Sequence, residues 1–542
     1  MKVKTKYLLL FYIIGFVYVQ KLSAQEISEE IDILKPITPV VKPFPKIQLQ
    51  PKMPSYTDIK PKMKYEIYDN KITSENETKN IINAGLIQTR SKYIPLFYVK
   101  LGAGNMQNYL ADFNFNSFPS KHLKYGFNIR HRSIKGNTLD DQTINTNKIL
   151  GFFTLDNPKT SINIKLNYDQ NLFNFYGADT LGQMPPTNIT SEDKEHGIRN
   201  ISSIISINND TTNNSFHYII TSSSHSLSTS RNVSENAFSL NSNIALNNYV
   251  SFDSNIDLNF IKLQNISISN HRFSVSPYLK FTTNSFDFKV GLNTNVFTEK
   301  NTQLAAYPYI HSNYHIIRDY MVIFGQLSGH REIMSYKKLL DNNPYIDHDI
   351  TISNTNKKLN LKFGLKIAPS AVIEFKTALT YNQIDNMPLF TNKENKVDKF
   401  NIVYVNGAQA MIVNSELNIN YNDKISSNLE LTLSNYTLKD NIKPTYTPTV
   451  ITSLNNIIKP INNLKLNILV SYLSKQNAYI GESLNHIETL PSFLNLSLGA
   501  EYEFKYVSIF TKVNNLLNSR YEIFKFYPGF NLNFLAGLTI SI

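Results

Sequence analysis

The sequence predicts an all-β chain: a transmembrane, antiparallel, up-and-down β-barrel of about 22 strands (18–22), preceded by a proline-rich extended arm. Three observations carry that expectation. Stretches of alternating apolar and polar residues recur from residue 94 to the end, prolines crowd residues 25–93, and the first residues read as an export leader.

The leader comes first. "MKVKTKYLLLFYIIGFVYVQKLSAQ" places Lys2, Lys4 and Lys6 before an apolar run from Tyr7 to Val19, with small residues at Ser23 and Ala24. This is the layout of a cleaved secretory signal peptide, expected over 1–24, and the run is short for a spanning helix, which takes roughly 17–25 residues. The chain holds no cysteine, which excludes disulfides, thiolate metal sites and a lipid-modified cysteine. A long exported chain without cysteine suits a bacterial envelope, and a barrel that crosses a bilayer is expected in the outer membrane of a Gram-negative bacterium.

The arm follows over 25–93. "ILKPITPVVKPFPKIQLQPKMPSYTDIKPKMKY" has a proline every few positions. Proline lacks the N–H a sheet ladder needs and favours extended, polyproline-like backbone, so this stretch reads as a periplasmic arm. It is either a flexible lead-in, a strap for a partner or a partial plug.

Strands occupy 94–542. "NLKFGLKIAP" sets Leu361, Phe363, Leu365 and Ile367 on one face against Asn360, Lys362, Gly364 and Lys366 on the other. "VSFDSNIDLNF" does the same with Val250, Phe252, Ile256, Leu258 and Phe260 against Ser251, Asp253, Asn255, Asp257 and Asn259. A period of two marks a strand with unlike faces. A soluble sandwich rarely sustains such long strands in one meander, whereas a membrane barrel requires them: roughly 9–11 residues each, apolar outward, polar inward, aromatic near the interfaces. The 32 tyrosines and 33 phenylalanines, many at strand ends (Tyr168, Phe175, Tyr278, Phe281, Tyr381, Tyr421, Tyr472, Tyr502), fit that last requirement. Long connections near 176–196, 331–354, 385–398, 439–445, 475–490 and 516–529 all follow odd-numbered strands in a count of 22. The polar residues Asp253, Asp257, Lys362 and Lys366 are then candidate lumen groups.

Charge and motifs exclude several classes. The formal net charge is +12, and without the four leader lysines (Lys2, Lys4, Lys6, Lys21) it is +8, spread over more than 500 residues with no compact basic run, so no nucleic-acid partner is expected. No phosphate loop, dinucleotide fingerprint, zincin or nucleophile-elbow motif occurs, and the expectation is no enzyme, no cofactor and no metal. His311 and His315 stand about 13 Å apart along a strand, too far for one ion. His131 and Ser133 have the i, i+2 spacing of a strand-borne histidine–serine pair, but no third group to orient the histidine can be assigned from sequence, so they read as a polar pair at a loop edge. "REIMSYKKLLDNNPYI" has helical texture and reads as a solvated outer loop with one helical turn, stopped by Asn343 and Pro344.

The C-terminus adds a resemblance. "FTKVNNLLNSRYEIFKFYPGFNLNFLAGLTISI" resembles the last two strands of TonB-dependent outer-membrane receptors, with Asn515, Leu516, Asn518 and Tyr521 in the register of their N-L-x-N-x-x-Y stretch, Leu517 intervening. "YVKLGAGNMQNYLADFNFNS" and "NNPYIDHDITISNTNKKLNLKFG" are similar to plugless receptor-type barrels of Bacteroidetes. The resemblance covers roughly 94–542 and implies a final strand read by barrel-assembly machinery, with Leu535, Gly537, Ile540 and Ile542 in the places of that signal. It departs at the front, where 25–93 is too short and irregular for a globular plug. The resemblance thus implies a receptor-like barrel that binds or passes a small solute without its own plug, in contact with outer-membrane lipid. The alternative is a structural or assembly subunit with a closed pore, acting through a protein partner.

Overall fold

In the computed structural model, the described residues are 94–542, apart from 138–140, 178–193, 210–215, 247–248 and the single positions 265, 300, 319, 395 and 423. The expected signal peptide over 1–24, the arm over 25–93 and the expected lack of a plug lie outside the described residues.

Twenty-two strands form one antiparallel sheet, from Phe97–Gly104 to Asn533–Ser541. The first strand pairs with the second, Tyr109–Ser117, and on its other edge with the last, Tyr98 opposite Ser541 through Gly104 opposite Leu535. The sheet is therefore closed, which leaves no unpaired edge. At the seam Gly102 faces Gly537, and a Cβ built on Gly537 would lie 1.9 Å from the Leu101 carbonyl oxygen. Only glycine fits there, because the first strand's backbone occupies the space a side chain needs.

The two rims differ. At one, turns are short, from two residues (462–463) to six (210–215), while every long connection (175–194, 333–354, 386–407, 438–449, 474–492 and 515–532) lies at the other. That is the arrangement the parity of the strand count predicts. Strand length explains what happens next: Ile266–Thr282 has 17 residues, about 56 Å at ~3.3 Å each, far more than a tilted strand needs to cross a hydrocarbon layer. The strands continue beyond that layer toward the long loops.

The faces match the alternation. Phe363 is 61% exposed and Leu304 77% exposed, whereas Lys366, three residues on from Phe363, is buried. Phe252 and Phe260 are exposed on the outside, and Asp253, Asn255 and Asp257 share the inner parity. In the last strand Phe534, Leu538 and Ile540 are exposed, as is Ile542 just after it, while Leu535 and Thr539 are buried. Bulky apolar side chains on the outside of a closed barrel present an apolar band to their surroundings. Phe281, Tyr421 and Tyr502 are exposed at the short-turn rim, where Tyr320, Phe504 and Tyr506 join them, as a girdle requires. Phe175 and Tyr278 do not belong to it: both are buried on the inner side, because their parity directs them away from the outer surface. No helix among the described residues is long and apolar enough to cross a membrane.

Candidate functional site

The inner face changes character along each strand. In Val250–Leu263 the inward positions run Asp253, Asn255, Asp257, Asn259 and then Ile261 and Leu263, buried at 2% and 4% exposure. The strands Thr160–Asn174, Glu195–Asn209, Phe216–Thr229 and Val233–Leu246 repeat the change at their long-loop ends with Phe173, Ile198, Leu227 and Val233. These side chains form the floor of a hydrophobic core that the long loops complete. The mouth of the barrel thus carries a folded cap.

The helix Tyr336–Asn342 sits in that core. Ser335 caps it, its Oγ accepting from the Lys338 N–H at 3.1 Å, and Asn343 ends it with its own N–H donating to the Leu339 carbonyl at 2.9 Å. Tyr336 and Leu339 are fully buried, so the solvated loop expected for 331–346 is corrected: the turn and its stop are where the sequence places them, but the segment is interior. Tyr345 stacks on Tyr527 with ring centroids 3.6 Å apart, and Tyr176 meets Tyr527 edge-on at 4.9 Å. Phe524 joins Phe400 at 5.7 Å and Tyr446 at 5.2 Å. Five separate connections thus share one aromatic cluster.

Backbone pairing ties the loops further. The hairpin of Met387–Asn392 and Phe400–Val405 and the hairpin of Gln476–Ile480 and His486–Leu490 make a four-stranded sheet, joined in parallel where Thr391 faces Tyr479 and Asn392 faces Ile480. That parallel pairing joins two loops of one mouth into a single sheet.

Buried polar groups fasten the cap to the wall. Asn270 of the barrel and Asn354 of the helix-bearing loop exchange side-chain hydrogen bonds of 2.6 and 2.8 Å, and Asn354 Oδ1 also accepts from the Met334 N–H at 2.9 Å. Glu235, fully buried, accepts from the Lys337 N–H at 3.1 Å and lies 2.8 Å from His225 Nε2. Asp347 holds Lys393 Nζ at 2.7 Å and the His348 N–H at 2.8 Å. Burial pushes the Asp347 carboxyl up, but His348 and Lys393 outweigh it and hold its pKa well below the usual carboxylate range. Asp398, whose backbone carbonyl accepts from the Tyr527 hydroxyl, has its pKa raised by burial, and burial together with Arg231 lowers that of Lys399. A cleft of about 450 Å³ opens among Asp347, His348, Lys393, Lys396 and Glu482.

Beneath the cap the inner face is polar. Of the candidate lumen residues, Asp257 accepts from Arg272 Nε at 2.7 Å and from Ser239 at 2.6 Å, and Asp253 accepts from Asn243. Lys366 is buried and pairs with Glu374 at 2.9 Å. Lys362 shares their inward parity without an ion pair among the described residues. The C-terminal motif proves to be a device of the last loop. Asn515, at φ 49° and 3% exposed, donates to the Ser519 and Phe530 carbonyls at 3.0 and 3.1 Å and accepts from the Ser519 N–H at 3.0 Å. The Leu516 N–H bonds Leu496 O at 2.8 Å, Asn518 Oδ1 accepts from the Leu532 N–H at 3.0 Å, and Tyr521 stacks on Phe493 at 4.1 Å. His131 and Ser133 point to separate partners, Asn147 at 2.7 Å and the Gln107 carbonyl at 3.4 Å.

No protein-family model matches the chain, and no curated protein matches it. Solved structures do match. The ferripyoverdine receptor of the outer membrane of Pseudomonas aeruginosa aligns at 13% identity over 84% of this chain and 73% of that one, TM-score 0.58. The siderophore receptor PirA of Acinetobacter baumannii aligns at 11% identity over 82% and 80%, TM-score 0.60, and the ferric-catecholate import receptor Fiu of E. coli K12 at 9% over 83% and 82%, TM-score 0.62. The likeness lies in the fold. These neighbours are receptors by name, and what the chain shares with them is the fold, here a closed sheet of 22 strands.

Proposed function

We propose that the chain is a receptor-like barrel of the Gram-negative outer membrane, exported by its leader, which binds or passes a small solute and has no plug of its own. The observation that supports this most directly is a closed barrel with a polar, charged interior beneath a cap folded from the long loops. An interior lined by Asp253, Asp257, Lys362 and Lys366 is suited to water and a polar solute, with these groups setting what enters. We assign no catalytic role to any residue, and place Leu535, Gly537, Ile540 and Ile542 as the strand read during assembly. The fold of the neighbours, all of them receptors by name, agrees with this reading.

The cap folded over the mouth favours a second reading, a structural subunit acting through a protein partner. Conductance of the refolded mature protein in planar bilayers, with and without residues 25–93, separates the two. Conductance in the truncated form alone, even as brief openings, makes the arm a plug and supports gated passage. Absence of conductance in both forms supports the structural subunit.

A further inference from the structure

Elsewhere on the inner face, charges of opposite sign meet: Arg130 with Asp112 at 2.7 Å, Arg272 with Asp257 at 2.5 Å, Lys366 with Glu374 at 2.9 Å. One stretch of wall departs from that pattern. Following the register from strand to strand, Lys280 lies opposite Lys289, Lys289 opposite His311, His311 opposite Gln326, and Gln326 opposite Lys362. These five residues share one inward row across five adjacent strands, on the order of 19 Å at ~4.8 Å per strand. Like charges directly opposite each other in a sheet are unfavourable, and Lys280 against Lys289 is such a pair. Among the described residues neither Lys280 nor Lys362 makes an ion pair. Of the inward positions two residues to either side, Asp287 is the one carboxylate, and it lies 3.3 Å from His315 Nε2. The other neighbours are largely hydroxyl and amide: Tyr278, Tyr309, Asn313, Asn360.

We infer that the inner-wall row Lys280–Lys289–His311–Gln326–Lys362 is a contact surface for an anionic solute bearing carboxylate or phosphate groups. The inference rests on the reading of the barrel as a solute path. Ammonium groups in a row, interleaved with an imidazole and an amide, set several donors along one wall with more positive than negative charge, which is what a multiply charged anion needs. A cation or a neutral sugar gains nothing from the three lysines.

Titration of the refolded full chain with inorganic pyrophosphate at low ionic strength, followed by calorimetry, tests the row. We expect saturable binding that weakens at least about tenfold in the double variant Lys280→Gln/Lys362→Gln and falls as salt rises. Heat-modifiable migration of the variant shows that it is folded, and the single variants Lys280→Gln and Lys362→Gln serve where the double one is not. Absence of binding, or binding equal in wild type and folded variants, overturns the inference. Swelling, in an uncharged sugar, of liposomes containing the protein without residues 25–93 and with Tyr345→Ala and Tyr527→Ala tests the solute path separately: swelling with no row-dependent binding removes the row and leaves the path, and row-dependent binding without swelling keeps the row and removes the path.

Discussion

Gly537 shows how one residue closes a molecule. Its missing side chain lets the last strand approach the first, and Gly537→Ala places a methyl 1.9 Å from the Leu101 carbonyl oxygen. We expect a cost of roughly 1–3 kcal/mol at the seam, read as a smaller heat-modifiable fraction on unboiled gels; an unchanged fraction contradicts the close approach. Asn515 works by conformation as well as by hydrogen bonding, since it holds φ at 49° while its amide bridges Ser519 and Phe530. Asn515→Ala removes three hydrogen bonds and is expected to raise hydrogen exchange across 515–532 by roughly 2–3 kcal/mol of local protection. Asp347 sets the acid response of the cap. Its pKa in the folded chain is below the ordinary 3.8, so its contribution is fully present above that value and is lost as pH falls through the folded pKa. Asp398, raised by burial, acts with the opposite sign, and Asp398→Asn removes it. In that variant, exchange protection of 345–348 and 391–393 should hold from neutral pH to about 4 and fall below it.

At the scale of elements, the cap depends on segments that cannot fold apart. The helix Tyr336–Asn342 has only seven residues, too few to persist alone, and stands because Tyr336 and Leu339 are buried. Tyr527 links three other rings or chains: it stacks on Tyr345, meets Tyr176, and donates to the Asp398 carbonyl. Tyr527→Ala should cost the cap roughly 3–5 kcal/mol, seen as faster exchange in 336–346 and 391–405 together while the barrel strands keep their protection. Much of this was legible. The alternation in 250–260 and 360–367 predicted both faces, and the helical turn with its stop at Asn343 was readable from spacing alone. What escaped was the depth of the helix, because the inward register turns apolar only at Ile261 and Leu263, just past the stretch where the alternation with Asp253 and Asp257 is plainest. Dense Tyr, Phe and Met in 175–176, 334–345 and 524–527 carried the same message, since loops bathed in water have no use for so many rings.

For the whole molecule, closure, strand number and the placement of long loops at one rim follow from alternation and parity, both visible in a linear sequence. The buried network that joins Asn270 to Asn354, or Thr391 to Tyr479, was not visible, because it pairs residues brought together only by closure of the sheet. A cap folded over a polar interior must loosen for a solute to pass, and its aromatic cluster then sets how often the pore opens. The most direct measurement is single-channel conductance of the refolded protein lacking residues 25–93, compared with the same protein carrying Tyr345→Ala and Tyr527→Ala, with voltage applied across planar bilayers. We predict brief, rare openings in the first and long-lived openings in the second. Identical traces from the two, with the variant folded by its migration on gels, would contradict it.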